Sequence, residues 1–156
     1  MELRRILSSE TVASLPLREA ITVDPTTIAR TAVERMRDRQ LGCAVIVDPS
    51  RRPVGIFTER SVTAALSENV SLDESVVCDL AESRFVAIRR SEPIRQVWDA
   101  ILKDGFRFVC VTAEDGVLIG LTGQRGLAEY ISEYFPHQVM VQRLGGKPWL
   151  QQREGA

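Results

Sequence analysis

The chain has 156 residues, 44% of them hydrophobic and 26% charged, with a formal net charge of −1. That balance is ordinary for a globular domain and excludes disordered and fibrous classes. No apolar run approaches the ~20 residues of a membrane helix, Met1-Glu2-Leu3-Arg4-Arg5 leads into no apolar signal core, and the near-neutral charge lacks the basic footprint of a nucleic-acid binder, so a cytoplasmic protein with neither membrane nor nucleic acid as partner is expected.

The first predicted element is an extended piece over 20–23, ended by Asp24-Pro25 because proline disfavours helix for the residue before it. A helix follows, capped by Thr26 or Thr27, with Ile28, Ala32, Val33 and Met36 on one face and Gly42 ending it. Strands over 44–47 and 54–57 flank the polar turn 48–53, and a second helix begins near Arg60. The polar segment 67–76 reads as a linker. Beyond it come an extended piece over 85–88 and a helix capped by Ser91, carrying Val97, Trp98 and Ile101 and closed by Gly105. Strands over 108–112 and 117–121 flank Glu114-Asp115-Gly116, and a last helix covers 124–134. In the tail, 136–156, Val139, Met140, Val141, Leu144, Trp149 and Leu150 predict docking on the body or on a dimer mate, with Trp149 as anchor; a solvated tail is the alternative.

The second half of that order repeats the first. Gly55 of Val54-Gly55-Ile56-Phe57 and Gly120 of Ile119-Gly120-Leu121-Thr122 stand 65 residues apart. The same offset, without a gap, brings Val45-Ile46-Val47 onto Cys110-Val111-Thr112, Met36 onto Ile101, Val12 onto Val77 and Arg60 onto Arg125. Apolar positions meet apolar positions with little identity, as two copies of one packed unit would leave. A unit near 60 residues is marginal alone, so the two are expected to pack sheet to sheet as one compact α/β (α+β) module.

The order strand, helix, strand, strand, helix, with Gly55 in the third strand followed by Thr58-Glu59-Arg60, resembles the CBS domain family. The tandem arrangement, repeat 1 over 10–66 and repeat 2 over 77–135, resembles a Bateman module. The resemblance implies a regulatory protein that binds an adenine nucleotide (AMP, ADP or ATP) or a related adenosyl compound in clefts between the repeats. It also implies that the motif's Ser or Thr contacts phosphate and its Asp accepts ribose hydroxyls. Thr58 keeps the hydroxyl here, Ser61 stands at the Asp position, and Gly123 and Gly126 occupy both places in the second repeat. The ligand-binding candidates are Thr22, Val23, Ala44, Thr58, Arg60 and Ser61 in the first copy, with Ala87, Val109, Gly123, Arg125 and Gly126 in the matching places of the second. Two roles stay open for the first set: Thr58 donates to a ligand or caps the second helix, and Arg60 meets a phosphate or pairs with an acid. The second cleft is expected to be empty or degenerate.

Catalysis is not expected. His137 is the one histidine, the three cysteines show no Cys-x-x-Cys spacing, and Gly120-Leu121-Thr122-Gly123 lacks the lysine of a phosphate-cradling loop. Cys43, Cys78 and Cys110 are expected as reduced core thiols. No cofactor is required by this reading. Output would pass to a partner protein, and a homodimer is expected through an apolar stripe of Leu66, Leu127 and Tyr130. The alternative function is a scaffold or dimerisation module that has lost its ligand.

Overall fold

The computed structural model describes residues 2–134. The tail reading, including Trp149, and His137 lie outside the described residues. The chain opens with helix α1 (Glu2–Ser9) and a 3-10 turn (Val12–Ser14). The first repeat then runs β1 (Thr22–Val23), α2 (Ala29–Arg39), β2 (Cys43–Val47), β3 (Pro53–Thr58) and α3 (Glu59–Ser67). The second runs α4 (Val77–Leu80), β4 (Ala87–Arg89), α5 (Ile94–Leu102), β5 (Phe108–Thr112), β6 (Leu118–Gly123) and α6 (Gln124–Tyr134).

Each repeat makes one three-stranded sheet with its middle strand parallel to the first and antiparallel to the third. The registers obey the sequence offset: Thr22 faces Val45 and Ala87 faces Cys110. β2 is buried at every position, as expected of a strand covered on both faces. Cys110, Leu118 and Leu121 from the second sheet join the core of the first, which is the expected sheet-to-sheet packing.

The segments that lead into each repeat are exchanged. Leu7, Val12 and Leu15 pack into the core of the second repeat, and Val77 packs into that of the first. Backbone bonds fix the exchange in matching pairs. Val12 donates to the Glu92 carbonyl (2.9 Å) and Ala13 to that of Arg90 (2.9 Å); 65 residues on, Val77 donates to Thr27 (2.9 Å) and Cys78 to Pro25 (3.2 Å). The 67–76 segment lies against α2: Leu72 is buried, Ala29 and Arg30 donate backbone hydrogens to Ser75 and Leu72, and the Arg30 guanidinium forks onto Asp73. That pairing holds the Asp73 carboxyl below its usual range.

Several local expectations need correction. α2 starts at Ala29 behind Ile28, not behind a threonine cap, because the Asp24 carboxylate takes the Thr26 amide and hydroxyl (2.9 and 2.7 Å) into a turn of their own. It ends at Gln40, in the left-handed conformation with φ 51°, ahead of Gly42. α5 follows Pro93, since the Glu92 carboxylate ties back to the Arg89 amide. Cys78 is exposed, while Cys43 and Cys110 are buried, and burial pushes both of those thiols up to about 12. Leu127 and Tyr130 are buried in the second repeat's core, so of the expected apolar stripe only Leu66 is exposed. No helix among the described residues is long and apolar enough to cross a membrane.

Candidate functional site

The chain leaves β3 at Thr58 and turns at once into α3. Thr58 stays extended (φ −129°) and caps that helix reciprocally: its Oγ1 accepts from the Ser61 amide (3.3 Å), and Ser61 Oγ accepts from the Thr58 amide (3.0 Å). Both residues are buried. Thr58 Oγ1 donates its own hydrogen across the repeat boundary to Glu82 Oε2 (2.9 Å). Arg60 Nη1 stands 4.0 Å from Glu82 Oε1, with the arginine side chain 86% exposed and the glutamate 26%.

A cleft of about 350 Å³ opens on this corner. Thr58 and Arg60 of the first repeat form one wall, and residues 82–84 and 104–108 of the second form the other. Glu82 is held by its backbone as well, its N–H donating to the Ile56 carbonyl (2.9 Å). Gly105, at φ 75°, lets the 103–107 turn bend back, a conformation that favours glycine. Arg84 lies over the Phe106 ring (4.6 Å) and donates to the Asp104 carbonyl (3.3 Å). Arg107 lies over Phe108 (5.1 Å) and reaches Glu59 (3.8 Å). Three guanidinium groups against two carboxylates, with two aromatic rings beneath, suit a flat ligand carrying negative charge.

Of the sequence candidates, Thr58 and Arg60 line this cleft and Ser61 lies just behind them as the helix cap. Thr22, Val23 and Ala44 do not line it: the first two pair with β2, and Ala44 is fully buried in that strand, opposite Phe57. Ala87 is exposed at the start of β4, and Val109 is fully buried beside Phe108. The cleft residues that sequence reasoning missed are Glu82, Ser83, Arg84 and the 104–108 turn. The polar run Glu82-Ser83-Arg84 at the head of a repeat was the available signal.

The corresponding corner of the second repeat is built differently. Arg18 and Leu121 exchange two backbone hydrogen bonds (2.8 and 2.9 Å), where the first repeat has only the single Glu82-to-Ile56 bond. This draws residues 16–18 onto β6. A Cβ on Gly123 would stand 2.7 Å from the Arg107 carbonyl oxygen, and one on Gly126 would stand 2.5 Å from Thr122 Oγ1 and 3.1 Å from the Pro16 carbonyl. Arg125 points away, 83% exposed and 3.5 Å from Glu129 one turn along α6.

Among the described residues no group of three or more His, Cys, Asp or Glu is placed to hold a metal ion. An uncharacterized protein of Methanopyrus kandleri is 25% identical over 124 residues; the match covers 79% of this chain and 63% of that protein. Solved structures share the fold, among them two with bound adenosine compounds. One is a CBS domain protein of Pyrobaculum aerophilum complexed with AMP, at TM-score 0.68 and 22% identity, with 75% of this chain and 89% of that one covered. The other is the CBS domain pair of MJ0100 in complex with 5′-methylthioadenosine and S-adenosyl-L-methionine, at TM-score 0.68 and 17% identity, covering 80% and 97%. The CBS domain family itself matches residues 12–68 and again 77–133, two stretches displaced by the same 65 residues that relate the strands. The chain belongs to the CBS domain family, as a tandem pair.

Proposed function

We propose that this CBS pair is a regulatory module that acts by binding, not catalysis: an adenine nucleotide or adenosyl compound enters the Thr58–Phe108 cleft, and the change passes to a partner protein. The observation that carries this reading is that the cleft has one wall from each repeat. An occupant therefore has a differential affinity for arrangements of the two halves, which any ligand-driven switch requires. The AMP and adenosyl complexes of the two structural neighbours support the ligand class. Calorimetry and thermal shift with AMP, ADP, ATP, 5′-methylthioadenosine and S-adenosyl-L-methionine test it. One equivalent per chain is expected, with ~2.7 kcal/mol of added stability at 100 times the dissociation constant. The double variant Thr58→Val, Arg60→Ala should weaken binding at least tenfold; unchanged affinity in a variant that still melts cooperatively would place the ligand elsewhere.

A ligand-free scaffold is the second reading. It is favoured by the lack of room for a side chain at Gly123 and Gly126 and by the commitment of both Thr58 and Ser61 to the helix cap. Failure of every adenine compound to shift the melting temperature would decide for it.

We further propose a cytoplasmic homodimer. The free thiols suit a reducing compartment. Leu66, 58% exposed, follows Val62 by four residues on α3, and Val62 lines a groove between α2 and α3 together with Val33, Met36 and Leu41 and with Arg37, Gln40, Glu59 and Thr63. Light scattering should return twice the 17.4 kDa chain mass; a monomer at tens of micromolar would refute the dimer.

A further inference from the structure

We propose that the Glu82 carboxylate, carried by the second repeat into the first repeat's cleft, accepts the hydroxyl hydrogens of the ligand's sugar and makes the site selective for a vicinal diol. This rests on the adenosine reading above. Side-chain acceptors are few in the cleft: Arg60, Arg84 and Arg107 are donors only, and beside Glu82 and Thr58 the lining offers the Ser83 hydroxyl and the Asp104 carboxylate. The Thr58 hydroxyl has already given its hydrogen to Glu82 and accepted that of the Ser61 amide. The other carboxylate, Asp104, sits on an exposed turn, and no hydrogen bond holds its side chain among the described residues.

Glu82 is different because it is held in place before any ligand arrives. Its N–H is tied to Ile56 and its Oε2 to Thr58, while Oε1 lies 4.0 Å from Arg60, beyond hydrogen-bond reach. A carboxylate offers about four lone-pair positions, and a single side-chain hydrogen bond occupies one of them here. With its backbone and one oxygen fixed, the remaining acceptor positions face the cleft at little ordering cost. The charge pattern then orients the ligand. An anionic group is repelled from Glu82 and drawn toward Arg84 and Arg107, whose guanidiniums are already laid on the Phe106 and Phe108 rings.

The test compares AMP, adenosine and their 2′-deoxy and 3′-deoxy analogues by calorimetry on the wild type and on Glu82→Gln. Glutamine keeps an oxygen for the Thr58 hydroxyl, so the variant should melt like the wild type. The wild type should prefer the diol over each deoxy analogue by roughly ten- to a hundredfold, the worth of a charge-assisted hydrogen bond. In Glu82→Gln the diol compounds should fall toward the analogues, whose own affinity should change little. If the variant discriminates as strongly as the wild type, or if the wild type does not discriminate, Glu82 is not the acceptor although the adenosine reading stands. If no adenosine compound binds the wild type, the reading fails and this inference with it.

Discussion

Deleting residues 2–18 should unfold the second repeat and leave the shortened chain without a cooperative melting transition. Leu7, Val12 and Leu15 are 3%, 0% and 4% exposed, and all three belong to the core built from α5, β5 and α6. Burial of one such side chain contributes roughly 1.5–3 kcal/mol, so together the three carry roughly 4.5–9 kcal/mol. Small domains have a total stability of about 5–15 kcal/mol. The deletion also removes the backbone hydrogens given to Glu92 and Arg90 and the two-way bridge to Leu121. Hydrogen exchange should show the loss of protection beginning in β4, β5 and β6, although the deleted residues lie at the opposite end of the sequence. The single substitution Leu15→Ala should cost about 2–5 kcal/mol. A truncated protein that melts like the full chain would mean that the leading segment is not part of the second core.

Gly123→Thr, the change that would give the second repeat the hydroxyl of the first, should destabilise the protein and create no second binding site. The new Cβ would lie 2.7 Å from a backbone carbonyl, that of Arg107, which belongs to the strand end paired with Gly123 and cannot rotate away. Overpacking of this kind costs roughly 1–3 kcal/mol, about 2–12 °C in melting temperature for a chain of this size. Adding Gly126→Asp should not help. Its Cβ meets Thr122 Oγ1, which can swing aside, but also the Pro16 carbonyl, which would face the new carboxylate oxygen to oxygen. Calorimetry on the double variant should still return one equivalent of ligand or fewer. Unchanged melting together with a second equivalent would show that the corner is open.

The repeat was legible because apolar spacing survives the loss of identity: Val45 and Cys110, or Met36 and Ile101, keep the pattern that packing demands. The strand and helix order followed from it, as did the last helix over 124–134. What the pattern does not encode is the partner. Val12 and Val77 read as buried whichever repeat they enter, so the exchange of leading segments was invisible. The site inherits that ambiguity: the motif names Thr22, Val23, Ala44 and Thr58 by their places within one copy, and it does not name the residues of the other copy, 82–84 and 104–108, that face Thr58 across the cleft. Leu127 and Tyr130 looked available for a dimer for a related reason. Their spacing marks an apolar helix face and not the elements that close the core around it, among them Leu3, Ile6 and Leu7 of α1.

The exchanged segments also set an order of events on the ribosome. The segment exchanged into the first repeat arrives early: Val77 follows the end of α3 by ten residues. The segment exchanged into the second repeat is made first and used last: Arg18 meets Leu121 only after more than a hundred further residues have been added. Until then the nascent chain holds Leu7, Val12 and Leu15 in water, a sticky end that a neighbouring chain on the same messenger is equally able to accept. Intermolecular exchange through that segment is the misassembly this topology invites, and its frequency should rise with translation density.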